Sequence, residues 1–333
     1  MTDQPIIDVR DLRKYFPAAG GSPLRSSDRN VHAVDGVSFQ VRRGEVLGLV
    51  GESGCGKSTL ALTLMGLELP TSGHVVINGQ DMAGLDKRGM KALRREVQMV
   101  FQDPYESINP RLRIGEIVAE PLVVHFPKMG EDERRDRVVK ALEDAGLRPG
   151  ADYLRRLPGE ISGGQRQRVV IAGALVLEPS VLLADEPVSM LDVSIRAEIL
   201  NLLNQLRQDR GISVLFITHD LGTVGYIADR IAVMYLGRIV EIGETKTVLE
   251  DPQHPYTKAL LSVVPVPNPR LRKERIILSG ETPNPIDLPP GCRFHPRCPI
   301  AKAHCTQIDP EFREIKPGYF AACHEIEITH RDS

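Results

Sequence analysis

The strongest constraint on this chain is a glycine-bounded loop, Gly51-Glu52-Ser53-Gly54-Cys55-Gly56-Lys57-Ser58, set directly behind an apolar run, Val46–Val50. It satisfies G-x-x-x-x-G-K-[ST] in full. Its glycines let backbone N–H groups wrap a phosphate, Lys57 supplies a cation to the β and γ oxygens, and Ser58 supplies a hydroxyl to Mg²⁺. Such a loop joins a buried parallel strand to a helix, so a strand is predicted over Glu45–Val50 and a helix over Lys57–Leu67. Thr59 lies in the first turn of that helix. Cys55 reads as a spectator whose place near a helix N-terminus lowers a thiol pKa.

Two further stretches carry chemistry. In Ile161-Ser162-Gly163-Gly164-Gln165, Ser162 and Gln165 have capping-box spacing, which opens a helix whose first amides form an anion site. Gly163 and Gly164 remove side chains, so a phosphate or another backbone can approach. Val181-Leu182-Leu183-Ala184-Asp185-Glu186 is an apolar strand ending in two carboxylates. Asp185 is expected to hold Mg²⁺ through water, and Glu186 to polarise an attacking water.

Strands are also predicted at Ile6–Val9, Val37–Val41, Val97–Phe101, Ser180–Ala184, Ser213–Thr218, Ile231–Tyr235 and Arg238–Glu241. Helices are predicted at Glu131–Ala145, from the Ile161 motif to about Leu177, at Ile195–Asp209 and at Leu221–Ala228. Strand–helix alternation calls for a mostly parallel sheet with helices on its faces. A Gly/Ser/Pro-rich surface insertion is read over Ala18–Asn30. From about residue 246 proline becomes dense (Asn-Pro-Arg at 268–270, then Thr-Pro-Asn-Pro from 282), which marks a loop-rich appendage.

Together these motifs resemble the ABC ATPases over roughly residues 5–245. The resemblance implies a P-loop NTPase (RecA-like) α/β core, an N-terminal antiparallel β-subdomain, a helical subdomain over about 105–170 and a C-terminal extension over 246–333. It implies that Gln102 contacts Mg²⁺ and the attacking water, that His219 lies near the γ-phosphate, and that Phe16 stacks on adenine, with Tyr15 as fallback. Ser189-Met190-Leu191-Asp192 is similar to the family's D-loop, with Met where Ala is usual. Gly173 stands where relatives often have Arg, and costs the helix about 1 kcal/mol relative to Ala. The implied reaction is ATP hydrolysis in a head-to-tail dimer, the ATP on one subunit's Gly51–Ser58 being closed over by its partner's Ser162–Gln165.

The tail narrows the resemblance. Asp251–Leu261 and the Gly-Cys-Arg-Phe-His-Pro-Arg-Cys-Pro run from Gly291 are similar to segments of dipeptide and oligopeptide importers, especially the second of their two ATPases. The runs Asn109–Arg111 and Val188–Ser194 agree. This implies a second, distinct ATPase, two transmembrane permease subunits, an extracytoplasmic peptide-binding protein, and a location on the cytoplasmic face of the membrane. Nickel or oligosaccharide uptake stays open within that branch. Docking on the permease is expected around Gln102–Leu122, with Phe101, Tyr105, Ile114, Ile117 and Val118 serving either as contacts or as core.

Cys292, Cys298, Cys305 and Cys323, separated by five, six and seventeen residues, lack the paired C-x₂-C of common zinc modules. Some relatives hold a [4Fe–4S] cluster in this region, so a cluster is the leading expectation. Neighbouring His295, His304 and His324 keep zinc open, and unmetallated thiols are the third reading.

Composition excludes several classes. With 42 basic and 44 acidic residues the net charge is -2, which makes no electrostatic case for nucleic acid. No apolar run reaches the ~18 residues of a membrane helix. The opening residues lack the basic-then-apolar order of a signal peptide, so a cytoplasmic protein is expected. About 105 residues separate the phosphate loop from Ser162 without a heptad tract, which argues against a soluble coiled-coil ABC mechanoenzyme.

Overall fold

The computed structural model describes residues 4–18, 29–264 and 275–326. Most of the insertion expected at Ala18–Asn30, the first three residues and the Asn-Pro-Arg run at 268–270 lie outside the described residues. In chain order the elements are β1 (Ile7–Pro17), β2 (Asn30–Val41), β3 (Val46–Val50), α1 (Lys57–Leu64), β4 (Ser72–Ile77), β5 (Gln80–Asp81), α2 (Lys87–Glu96) and β6 (Val97–Val100). Then come α3 (Pro104–Ser107), α4 (Ile114–His125), α5 (Glu131–Asp144), α6 (Gly163–Leu175), β7 (Val181–Asp185), α7 (Val193–Arg210) and β8 (Ser213–Thr218). The last are α8 (Leu221–Ile227), β9 (Arg230–Tyr235), β10 (Arg238–Glu244), α9 (Thr245–Glu250), α10 (Pro255–Ser262), β11 (Arg313–Lys316) and β12 (Tyr319–Ala321).

The described residues divide into two compact units. One lies within Met1–Ile7, Val41–Val46 and Val76–Ile217, the other within Asp8–Gln40, Leu47–Val75 and Thr218–Ser333.

In the first unit β6, β7 and β8 run parallel, Val97–Val100 opposite Val181–Ala184 and Val181–Asp185 opposite Ser213–Ile217. Every residue of β7 and β8 is buried, which is why both read as unbroken apolar runs rather than alternating ones. Helices α4, α5 and α6 pack on one another. The charged helix α5 buries only Val138, Ala141 and Leu142, one face at helical spacing. Helix α4 buries Ile114, Val118 and Leu122. Burying a Val, Ile or Leu side chain contributes about 1.5–3 kcal/mol, enough to hold α4 through Pro121, whose ring costs an interior helix about 3 kcal/mol.

In the second unit β3 pairs parallel with β9, Leu47–Val50 opposite Arg230–Val233. Strands β9 and β10 pair antiparallel, β10 pairs with β12 and β12 with β11, so the run is β11-β12-β10-β9-β3. Beside it β2, β1 and β4 neighbour one another in an antiparallel subdomain. Helix α1 stops at Leu64, short of the expected Leu67. Gly66 turns left-handed (φ 64) and closes a Schellman motif, its N–H donating to the Thr63 carbonyl at 3.0 Å and the Leu67 N–H to that of Leu62 at 2.9 Å.

The extension is mostly loops, and two devices fasten it. Tyr319 of β12 lies on Gly243 of β10, where a Cβ would come within 2.5 Å of the ring. Its hydroxyl donates to the wholly buried Glu241, which also accepts the Gln253 N–H at 2.7 Å and the His254 N–H at 3.1 Å. The second device is an aromatic cluster: Tyr256 and Phe294 stand against Tyr235 at centroid distances of 4.8 and 5.2 Å, all three buried. The two strands escape sequence reading because three or four residues are too few for a period to register.

His254 caps α10, its Nδ1 accepting the Tyr256 N–H at 3.1 Å, and is 1% exposed. Burial, helped by Lys258, pushes its pKa down from 6.5 to about 3. Between those values only the unfolded chain binds the proton, so this stabilisation is complete above the unfolded pKa and falls away as pH drops. Denaturant unfolding at pH 5.5 should therefore show about 1.4 kcal/mol less stability from this group than at pH 7.5. His254→Asn should flatten the pH slope by that amount; an unchanged slope would contradict the assignment.

Candidate nucleotide site

Backbone crowding shapes the loop between β3 and α1. A Cβ on Gly51 would fall 2.2 Å from the Met234 carbonyl oxygen. One on Gly56, at φ 106, would fall 1.9 Å from that of Ala33. No side chain fits at either position, and the motif's two fixed glycines are the result. Ser53, Gly54 and Ser58 are exposed, Thr59 half-buried. Lys57 is only 6% exposed and folds back on its own loop, Nζ donating to the carbonyls of Gly51 at 2.7 Å and Glu52 at 2.9 Å. Cys55 is 1% exposed, and burial raises its thiol pKa despite Lys57 Nζ at 3.7 Å. The expected lowering is thus overturned: removing a thiolate from water outweighs the nearby cation and the helix terminus.

On β1, Tyr15 and Phe16 face opposite sides of the strand. The Tyr15 ring stands 4.4 Å from that of His32 and its hydroxyl donates to Asp35. Burial first, then Asp35, pushes its pKa up to about 12. Tyr15 is thus engaged within the fold. Phe16 is half-buried, with Lys14 Nζ 4.6 Å from its ring centre.

In the first unit, β7 ends on Asp185, 7% exposed. Glu186 follows at φ 47, a left-handed conformation that costs a non-glycine residue on the order of 1–2 kcal/mol. Its N–H donates to the Ile217 carbonyl at 2.9 Å, and its own carbonyl accepts the Ser189 hydroxyl at 3.0 Å. Gln102 Nε2 donates to Glu186 Oε2 at 3.2 Å, so two expected catalytic residues meet across 84 positions of sequence. His219 is exposed just past β8, between Thr218 and Asp220, and the Asp220 N–H donates to the Thr218 hydroxyl at 3.1 Å.

The Ser162 motif forms the expected capping box at the start of α6: Ser162 Oγ accepts the Gln165 N–H at 3.3 Å and Gln165 Oε1 accepts the Ser162 N–H at 3.1 Å. The two glycines differ. A Cβ on Gly164 would meet Ile195 at 2.7 Å, so this residue is small for packing within the chain. At Gly163 the nearest atom is the Tyr105 hydroxyl, at an ordinary 3.5 Å. Arg166, the residue after Gln165, stacks on Tyr105 at 4.5 Å and donates to the Pro158 carbonyl at 2.7 Å. Of the expected docking contacts, Phe101 (43%) and Tyr105 (60%) are exposed, whereas Ile114 and Val118 are fully buried core and Ile117 is half-buried.

Burial raises the pKa of Cys292 to about 11, and the other three thiols of the tail add to the rise. Cys298 and Cys323 are raised by burial as well, with Cys305 and Glu325 adding to the rise in both. Among the described residues no group of three or more His, Cys, Asp or Glu side chains is arranged to hold a metal ion. The expected [4Fe–4S] cluster and the zinc alternative therefore gain no support from the geometry. No helix among the described residues is long and apolar enough to cross a membrane.

Residues 34–189 match the ABC transporter family, and residues 240–305 match the family described as oligopeptide/dipeptide transporter, C-terminal region. The chain is similar to the oligopeptide transport ATP-binding protein AppF of Bacillus subtilis, 47% identical over 96% of this chain and 97% of the relative. It is also 47% identical to the dipeptide transport ATP-binding protein DppF of Haemophilus influenzae, over 97% of each. Among solved structures it is similar to the dimeric post-hydrolysis state of the ATP-binding cassette MJ0796 bound to ADP and Pi, with a TM-score of 0.62, 29% identity and coverage of 72% of this chain and 98% of that one. It is likewise similar to cbiO1 of Clostridium perfringens, with a TM-score of 0.64, 31% identity and coverage of 75% and 92%. The chain belongs to the ABC transporter ATPases, in the branch that carries the oligopeptide/dipeptide transporter C-terminal region. It is an ATPase with a P-loop α/β fold.

Gly173 of α6 has open space where its Cβ would be, so only helix propensity acts there. Gly173→Ala should stabilise the protein by about 0.5–1 kcal/mol in denaturant unfolding. A loss of stability would show that the position carries a packing constraint.

Proposed function

We propose that this chain powers the uptake of di- and oligopeptides through a membrane ABC importer. The observation that carries the reading is the matched C-terminal region, residues 240–305, on a chain whose phosphate loop, Gln102–Glu186 pair and Ser162 cap are all intact. In this reading residues 1–245 form the nucleotide-binding domain and 246–333 the importer extension. The partners are a second, distinct ABC ATPase, two transmembrane permease subunits and an extracytoplasmic peptide-binding protein. The chain then sits peripherally on the cytoplasmic face of the membrane, with Phe101 and Tyr105 toward the permease.

The chemistry follows from residue roles. Backbone amides of Gly51–Ser58 hold the β-phosphate of ATP, and Lys57 leaves its carbonyls to pair with the β and γ oxygens. Phe16 stacks on the adenine. Ser58, Gln102 and Asp185 would hold Mg²⁺, which would supply positive charge against the charge that develops during phosphoryl transfer. Glu186 takes a proton from the attacking water, and His219 donates to the γ-phosphate. A partner subunit's copy of the Ser162–Gln165 helix start closes over the same phosphate, and hydrolysis reopens the dimer.

The four tail cysteines have the donor chemistry of a [4Fe–4S] site. Iron and acid-labile sulfide in anaerobically purified protein support the cluster; their absence leaves four unmetallated thiols, Cys305 buried and the other three half-buried.

In the assembled importer, peptide-loaded binding protein should raise ATP turnover. Glu186→Gln should lower turnover by on the order of 10²–10⁴-fold while ATP binding is kept. Undiminished hydrolysis in the purified mutant complex would remove Glu186 from its role.

A further inference from the structure

We propose that Arg297, in the cysteine-bearing tail, is a positioning residue for nucleotide binding: acting through Glu52, it fixes the phosphate loop and cancels a negative charge beside the triphosphate. This rests on Gly51–Ser58 being the phosphate loop.

Glu52 fills the first variable place of the motif, where any residue satisfies the pattern. A carboxylate there, in a loop built to attract a polyanion, opposes binding unless it is paired. Arg297 pairs it with a two-pronged fork, Nη1 to Oε2 at 2.7 Å and Nη2 to Oε1 at 3.1 Å. The Thr282 hydroxyl donates to the same Oε2 at 2.7 Å. The Arg297 side chain is 9% exposed and that of Glu52 27%, so the pair is partly shielded from the screening that weakens surface ion pairs.

The backbone of the same residue is held as well. The Glu52 N–H donates to the hydroxyl of Tyr256 at 2.8 Å, and Tyr256 is wholly buried in the aromatic cluster. Three tail residues thus converge on one residue of the loop. A second strap runs beside it. Arg293 donates to the Leu236 carbonyl at 2.6 Å and pairs with Asp35, while the Gly237 N–H donates to the Cys55 carbonyl at 2.9 Å. Arg293 directly follows Cys292 and Arg297 directly precedes Cys298, so the turn carrying both arginines is framed by two of the four thiols.

A simple staple between tail and core would also use Arg297, and electrostatics separates the two roles. The test is titration of the full-length protein with a fluorescent ATP analogue at low and high salt. Arg297→Ala, which leaves Glu52 unpaired, should weaken binding on the order of tenfold, and by less as salt rises. Glu52→Gln/Arg297→Ala removes the opposing charge and should recover most of the loss. Arg297→Lys keeps the charge without the fork and should fall between. The proposal is overturned if Arg297→Ala binds like wild type, or if the double variant binds as weakly as Arg297→Ala at every salt concentration. Should Arg297→Ala fail to fold, Arg297→Lys against the double variant reads the same difference. Lys57→Ala tests the underlying assignment separately: wild-type binding by that variant would mean that Gly51–Ser58 is not the phosphate loop, whatever Arg297 does.

Discussion

Everything in the nucleotide unit depends on how closely the backbone can approach itself at two points. The loop after β3 passes the Met234 carbonyl at Gly51 and the Ala33 carbonyl at Gly56, with room for a hydrogen and nothing larger. These contacts fix the loop between β9 and β2, and α1 follows in one direction only. The apolar strands beneath supply the rigidity. A loop shaped by steric exclusion can present its amides without reorganising when charge arrives, which is the condition for strong electrostatic binding.

Legibility in the sequence follows the range of the interaction. The capping box at Ser162 and Gln165 is three residues wide, and its geometry is as its spacing implies. Strand β8 spans Ser213–Thr218 as predicted, the apolar run Val214–Ile217 with one buried hydroxyl residue at each end. Helix α1 ended early because a Schellman turn at Gly66 outweighs the apolar residues that follow. At Cys55 the competition was between a helix terminus, visible in sequence, and burial, visible only in the fold. Burial is the larger effect.

The least legible feature is the junction of tail and phosphate loop. Glu52 and Arg297 lie 245 residues apart, and neither occupies a place that a motif assigns to chemistry. Prolines between residues 282 and 299 mark the tail as loops but say nothing of where the loops are pinned. Tyr256 and Phe294 could be predicted to be buried from their type; their shared cluster with Tyr235 could not.

Lys57 adds a last consequence. Its ammonium is held inside the loop by the carbonyl dipoles of Gly51 and Glu52. Filling the loop is then an exchange of partners for a cation already out of water, and the desolvation of that cation belongs to folding instead of to binding. An anion that binds the loop gains the lysine's charge by displacing two neutral carbonyls, weaker partners for an ammonium than a phosphate oxygen.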